Sequence, residues 1–469
     1  MSEVKLEDIV SLAKRRGFIY PGSDVYGGLS GTWDYGPLGV QLKRNIMQLW
    51  WKMFVEDADD MLGVDAAILM NQKVWQASGH VDTFTDPLVE CSNCHARLRA
   101  DKLDDPNKCP ACGKEGTFGE ARQFNMMFKT FVGPSHEGGK VERVGKPVDA
   151  LGNEIENSGT EKYELMSYDP NAVSYLRPET AQGIFTNFKN VVDSFYPDVP
   201  FGIAQQGKAF RNEISPRDFI FRSREFEQME IEYFVHPDVW ETSFEEWVKR
   251  IHNWCDAIGL PADKVHELEV PEADRAHYSK RTIDFEFDFP IGREELLGLA
   301  YRTDFDLQNI QRASGKSMEY RPKDGSPAFV PHVIEPSFGV ERTLMAVLSS
   351  AYTEDEINGE KRIYLKFPKH IAPIKVAVCP LAKNNPGLVA KAREVYAMLK
   401  KEFGSVLWID SGNIGKNYRK MDEIGVPYVV TVDFDTLEGG TKDTVTVRHR
   451  DTTEQERVNV DGLADHLKV

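Results

Sequence analysis

Between Phe201 and Val235 the chain carries two runs in which apolar and polar residues alternate, FGIAQQGKAF and EFEQMEIEYFV, joined by a polar loop. A period of two sends successive side chains to opposite faces of a strand. Phe226, Gln228, Glu230 and Glu232 therefore share one face, and Glu227, Met229, Ile231 and Tyr233 the other. In the first run Ile203, Gln205, Gly207, Ala209 and Arg211 share a face in the same way. The pattern predicts a hairpin that offers amide, carboxylate and guanidinium groups on a rigid sheet, a set suited to a small zwitterion together with a phosphate. Arg211 ends one strand, and Arg217, Arg222 and Arg224 lie in or just beyond the loop. Each presents a planar fork of donors that matches phosphate oxygens. A charged strand face that is simply solvated would show the same alternation.

Other stretches follow helical or strand spacing. Ile9, Val10, Leu12 and Ala13 mark a helix over 7–17, and 40–55 reads as an amphipathic helix with Trp50 and Trp51. Between them the Gly- and aromatic-rich FIYPGSDVYGGLSGTWDYGPLGV is a loop near a ligand or a surface segment packed by its own aromatics. In YLRPETAQGIF, Pro178 fits a first helical turn, and Glu179 would sit near the positive end of that helix, ordinarily as a cap. A helix with Trp247, Ile251 and Trp254 follows Phe234, and Ile283, Phe285, Phe287 and Phe289 alternate with acids as a half-buried strand. A strand from His332 to Glu335 runs into a helix beginning near Gly339, with Val340, Leu344, Val347 and Leu348 on its apolar face. Arg342 falls off that face in the first turn, where the helix dipole disfavours a cation. That misfit invites an anionic partner. Residues 133–165, rich in Gly, charge and turn formers, read as an insertion or mobile loop. From Ile371 the short strands KVAVCPL, VLWID, YVVTVD and DTVTVRHR alternate with helical runs, the pattern of a small α/β domain with a mixed sheet.

With 469 residues, two or three domains are expected. No run reaches the length of a membrane span, and the first residues lack the apolar stretch of a secretory signal, so a cytoplasmic protein is expected. The net charge of −17 weighs against a nucleic-acid partner, but it is unevenly placed. Residues 371–469 hold 14 Lys+Arg and 14 Asp+Glu, so 1–370 carry the whole imbalance. A local basic face is enough for RNA, because phosphate contacts act locally. Of six cysteines, Cys255 and Cys379 stand alone as small buried hydrophobes. Cys91, Cys94, Cys109 and Cys112 form a CxxC…CxxC pair with 14 residues between. That spacing suits tetrahedral zinc in a structural role, since four sulfurs leave no open position. Four unmetallated thiols are the other reading, and His95 is then an exposed knuckle residue.

Three segments carry a resemblance. FRNEISPRDFIFRSREFEQMEIEYF resembles motif 2 of the class II aminoacyl-tRNA synthetases, and HVIEPSFGVERTLMAVL resembles motif 3. RPETAQG matches the amino-acid-binding segment, and with FEQME and EPSFG the set is similar to the homodimeric glycyl-tRNA synthetases over nearly the whole chain. GKNYRKMDEIGVPYVVTVD resembles their anticodon-binding domain, where Lys416, Arg419 and Lys420 would make an RNA face; an ordinary accessory domain with a solvated helix is the alternative.

The resemblance implies an α+β protein with an antiparallel-sheet catalytic domain at 1–370. That domain would contain a zinc-knuckle insertion at 86–120 and the loop insertion at 133–165, and a C-terminal α/β anticodon-binding domain would occupy 371–469. It implies ATP-dependent formation of glycyl-adenylate and transfer to the terminal ribose of tRNA(Gly). The implied ATP-binding set is Arg211, Asn212, Glu213, Phe221, Arg222, Phe226, Glu295, Leu296, Gly339 and Arg342, with Arg211 and Arg342 catalytic. The implied glycine-binding set is Arg99, Glu179, Phe226, Gln228, Glu230, Arg302, Glu335 and Ser337. Arg302 and Asp304 fall near the substrates in that pattern, while Tyr301 stands where the family has Asn. Mg²⁺ and a structural Zn²⁺ are the implied metals. A second copy of the chain, meeting through the 40–55 helix, is the implied protein partner, with no membrane; a buried core helix would show the same pattern. Three rivals remain: a sister synthetase for threonine, serine or proline, a catalytically dead relative that binds nucleic acid, and a zinc-knuckle RNA-binding protein. The first should lack the acidic set, the second should lose Arg211, Arg342 or Glu179, and the third leaves the hairpin arginines without a purpose. No GxxxxGK[ST] occurs, so Walker-type nucleotide binding is not expected.

Overall fold

The computed structural model describes residues 4–133, 172–276, 278–357, 359–410 and 413–468, together with the backbone of strands Lys140–Gly145 and Glu161–Met166. Seven strands build the central sheet: β1 (Met61–Gly63), β2 (Phe201–Phe210), β3 (Glu225–Val235), β4 (Val265–Glu269), β5 (Arg281–Phe289), β6 (Gly292–Thr303) and β7 (His332–Gly339). Their order is β4-β5-β6-β7-β3-β2-β1, antiparallel throughout except for β1 beside β2. The predicted hairpin is its spine: β2 and β3 pair from Phe201 opposite Phe234 to Phe210 opposite Glu225.

The two faces of the sheet have different fates. Met229, Ile231, Tyr233 and Val235 of β3 join Leu297, Leu299, Ile334 and Phe338 in the main core. Over that face lie α1 (Leu6–Arg16), α2 (Pro37–Trp51), α4 (Trp240–Ala257) and α6 (Val340–Ala351). Pro37 opens α2 with its φ already fixed for a helix. A π-helical turn at Lys52–Glu56 then swings Phe54 inward to stack on Trp247, ring centroids 5.7 Å apart, and Trp50 meets Phe338 edge-on at 5.8 Å. Truncating such an aromatic costs about 3–5 kcal/mol. On the opposite face α3 (Ala181–Phe195) and α5 (Phe305–Ser314) cover only one end, through Phe185, Phe188 and Leu307 against Phe201 and Phe234. The rest of that face is open.

Several elements depart from the sequence reading. Helix α3 starts at Ala181, so Pro178 and Glu179 precede it. The cause is a tie to β2: the Arg177 carbonyl accepts the Phe210 N–H at 2.9 Å, and the Pro178 carbonyl accepts Arg211 Nε at 3.1 Å. Helix α6 is buried nearly all round, Glu341, Thr343 and Ser349 included, because it lies between the sheet and α2. The 133–165 stretch contains most of a β-hairpin, Lys140–Gly145 against Glu161–Met166; the rest of it lies outside the described residues. A hairpin at Tyr352–Ile357 and Glu360–Leu365 leads to the C-terminal part.

There a second core begins at Val376, and the first ends at Ile371 and Ala372. Five strands lie in the order Val406–Trp408, Val376–Pro380, Tyr428–Val432, Thr444–His449, Gln455–Asn459, the first three parallel and the last two antiparallel. The last is a polar edge strand without the alternation that would have announced it. Asp422, 1% exposed, seats this part on the first: Arg448 donates to it at 2.8 and 2.9 Å and Arg362 at 3.2 Å. Among the described residues no helix is long and apolar enough to cross a membrane.

Candidate active site

The open part of the sheet is a trough because glycines recur along its middle row. Gly207 of β2 lies opposite Gln228 of β3, Gln228 opposite Gly339 of β7, and Ser337 opposite Gly298 of β6. At Gly207 a Cβ would come within 2.2 Å of Arg177 Nη2, so only glycine lets that buried arginine pass. The resulting cavity has a volume of about 440 Å³.

One end is walled by carboxyl groups. Glu230 accepts from Ser337 Oγ at 2.7 Å and from Thr180 Oγ1, and Gln228 Nε2 reaches Ser337 Oγ at 3.4 Å. Glu179, just ahead of α3, faces His80 Nε2 at 3.3 Å, and Ser78 Oγ meets His80 Nδ1 at 2.8 Å. Burial alone would raise the Glu179 carboxyl, but His80, Arg302 and Arg211 outweigh it and hold it at about 2. Glu335 goes the other way: burial pushes it up to about 8, with Arg302 opposing and Glu230 and Glu179 adding. Glu230 is likewise raised by burial and by Glu179, against the hydroxyls of Thr180 and Ser337. Behind this wall Arg302 forks onto Asp306 at 2.8 and 3.0 Å, reaches Glu335, and lies 3.8 Å from the centre of the Tyr278 ring. Gln182 Nε2 fixes Asp306 from the other side at 2.8 Å. One guanidinium serves two carboxylates, and the wall is short of positive charge.

The other end holds the arginines. Arg211 sits between the rings of Phe84 and Phe226, 5.4 and 5.3 Å from their centres, and makes no ion pair among the described residues. Arg342, in the first turn of α6, pairs with the Glu295 carboxylate at 2.9 Å, donates to its carbonyl at 3.0 Å and covers Phe221 at 4.7 Å. Its charge draws the Glu295 carboxyl down. Burial, with Glu295 and Glu286, pushes nearby Asp284 up to about 6. Arg222 approaches Glu213 at 3.6 Å.

The cavity gathers most of the residues singled out from the sequence. Arg211, Glu213, Phe221, Arg222, Phe226, Glu295, Leu296, Gly339 and Arg342 line it, as do Arg99, Glu179, Gln228, Glu230, Glu335 and Ser337. Arg99 arrives already paired with Asp86 and Asp101, each at 2.7 Å. Two residues do not line it: Asn212, whose backbone N–H goes to the Met126 carbonyl at 2.8 Å, and Arg302, which supports Glu335 from behind. Asp304 belongs to the start of α5, where Gln308 holds it at 3.2 Å; the acid on Arg302 is Asp306. His80 and Tyr278 carried no periodic or motif signal of their own, and Thr180 and Gln182, though inside RPETAQG, were not singled out. Arg224 is structural, donating to the carbonyls of Glu213 and Ser30.

The four paired cysteines also converge. Cys91 Sγ lies 3.8 Å from Cys112 Sγ, Cys94 Sγ lies 3.7 Å from Cys109 Sγ, and all four fall within 4.8 Å of one another. A tetrahedron of Zn–S bonds of ~2.3 Å has edges of about 3.8 Å, so the donor set fits zinc. His95 is exposed beside Glu90 and stands outside the set.

Comparison with known proteins agrees with this geometry. A family model described as the tRNA synthetase class II core domain (G, H, P, S and T) matches residues 163–351, and one described as an anticodon binding domain matches 375–469. The glycine–tRNA ligase of Thermobifida fusca (strain YX) is 43% identical over 485 residues, covering 98% of this chain and 97% of its own. That of Clostridium kluyveri is 44% identical over 495 residues, covering 99% and 98%, and that of Streptomyces coelicolor 43% over 490, covering 100% and 98%.

Proposed function

The chain belongs to the glycine–tRNA ligase family of class II aminoacyl-tRNA synthetases, and we propose that it charges tRNA(Gly) with glycine in the trough over the β2–β3 hairpin. The observation that carries this assignment is the opposition, within one cavity, of a carboxyl wall and an arginine that has no ion-pair partner among the described residues. The wall suits an ammonium group. Glu179, Glu230 and Glu335 face it, Ser337 and Gln228 stand beside it, and Arg302 keeps Glu335 in place. Arg99 is the candidate for the amino acid's carboxylate.

That carboxylate attacks the α-phosphorus of ATP in line. A C–O–P linkage forms as the bond to pyrophosphate breaks. The nucleophile is already an anion, so no general base is needed, and the residues contribute position and charge. Arg211 takes the α-phosphate, Arg342 the γ-phosphate, Phe226 the adenine face, and Asn212, Glu213, Phe221, Arg222, Leu296 and Gly339 the remaining contacts. Glu295 would hold Mg²⁺, which neutralises phosphate charge when bound. The terminal ribose hydroxyl of the tRNA then attacks the adenylate carbonyl and displaces AMP.

Glycine has no side chain, so selectivity works by exclusion. The wall of Glu179, Glu230, Glu335 and Ser337 would exclude the methyl of alanine, and rejection by bulk needs no editing site. We assign zinc to Cys91, Cys94, Cys109 and Cys112 as a structural cross-link of the 86–120 insertion. The division into a catalytic unit at 1–370 with a further insertion at 133–165 and an anticodon-binding unit at 371–469 belongs to the same reading. So do the exposed Lys416, Arg419 and Lys420 as an RNA face, and a homodimer through the 40–55 helix. Arg211→Ala and Arg342→Ala test the phosphate assignments. Each should lower glycine-dependent pyrophosphate exchange by roughly 100-fold or more, the cost of losing a charge-stabilising donor, with glycine affinity retained. Unchanged exchange in both would refute them.

A further inference from the structure

Glu232 lies two residues beyond Glu230 on the same face of β3 and takes no part in the chemistry above. It is 0% exposed, and neither carboxyl oxygen has a hydrogen-bond partner among the described residues. Its neighbour across β2 is Ile203, and α3 packs Phe185 and Phe188 over the same end of the sheet. Four charged or titratable groups face it: Glu335 from β7, Arg302 from β6, Glu230 from β3 and Asp306 from α5. Arg302 is already committed to Asp306 and Glu335, so Glu232 has acids for neighbours and no donor of its own. An ionised carboxylate in that position would cost several kcal/mol. Burial first, then Glu335, raises this carboxyl well above the ordinary range, with Arg302 opposing.

We propose that Glu232 stores the proton of the glycine site, staying neutral while the cavity lacks an ammonium group and losing that proton to solvent when the amino acid binds. The inference rests on the assignment of the wall to glycine. The carboxyl O–H bond breaks, the proton leaves to water, and the charge of the new carboxylate is balanced by the incoming ammonium. No further reactant is required. Glu232 is thus a positioning residue: it sets the charge of the wall without touching the substrate. Because binding releases a proton, glycine should bind more tightly as pH rises, by up to about tenfold per pH unit across the window of release.

Titration calorimetry of the full chain with glycine, in two buffers of different ionisation enthalpy at one pH near neutrality, counts the protons released. The parent should release about one proton more per glycine than Glu232→Gln, and that variant should still bind glycine. Release of the same number from the variant, or none from the parent, would overturn the proposal. If the variant fails to fold, infrared difference spectra of the parent decide, because glycine should abolish a carboxylic-acid C=O band and persistence of every such band rules the proposal out. Failure of glycine to bind the parent would instead defeat the assignment of the wall itself, and this inference with it.

Discussion

Replacing Glu179 with Gln removes the one carboxylate of the wall that is firmly ionised. Its carboxyl is held at about 2, against an ordinary 4.5. At ~1.36 kcal/mol per unit this difference is worth about 3 kcal/mol of folding free energy. The side chain is 13% exposed, so solvent screens little of it. The folded value lies below the unfolded one. The contribution is therefore complete above about pH 4.5 and is lost as pH falls through 2. Glu179→Gln should cost up to about 3 kcal/mol at pH 7, less at pH 3, and little near pH 2. In the proposed catalysis the same change would remove a charged acceptor for the ammonium, worth about 1.5–3 kcal/mol. That corresponds to a fall of roughly 10- to 100-fold in kcat/KM for glycine. Denaturant unfolding at pH 7 and pH 3, paired with pyrophosphate exchange, measures both effects. A variant as stable as the parent at pH 7, or one that loses as much at pH 3, would refute the electrostatic part. Unchanged kinetics for glycine would refute the functional part.

Two further outcomes are expected. Gly39→Ala puts a Cβ within 1.8 Å of the Phe18 carbonyl oxygen, a backbone atom that cannot step aside. It should destabilise the chain by about 3 kcal/mol, read as a shift in denaturation midpoint. Elemental analysis of the purified chain should find one zinc, and Cys109→Ser should lose it. The strand Arg97–Arg99 belongs to the same small sheet as Thr85–Glu90 and carries Arg99 to the cavity. Loss of zinc should therefore raise KM for glycine in the exchange reaction, and an unchanged KM would detach Arg99 from the metal.

The hairpin was legible because a period of two survives in the letters of β2 and β3. Its chemistry was not legible from those letters alone. Glu230 and Glu232 look like a solvated face until α3 and α5, distant in sequence, close over them. The acid on Arg302 is a local matter. Asp306, four residues on and in the first turn of α5, takes its guanidinium, while Asp304 stands just ahead of that helix. His80 stands alone in its segment, and nothing local distinguishes it from an ordinary polar residue. The paired cysteines were legible without the fold, since two CxxC pairs with 14 residues between predict a cluster, and the structure brings all four sulfurs within 4.8 Å. Helix α3 began later than its Pro-Glu start implied because the tie to β2 keeps Arg177 and Pro178 out of the helix.

The most direct test is glycine-dependent exchange of pyrophosphate into ATP by the purified chain, without tRNA, with alanine and serine run in parallel. Strong exchange with glycine alone is the expected result, and it would establish adenylation and the exclusion of larger side chains together. Exchange with serine or alanine would contradict the assignment of the wall, and no exchange with any amino acid in folded, RNA-binding protein would contradict the enzyme itself.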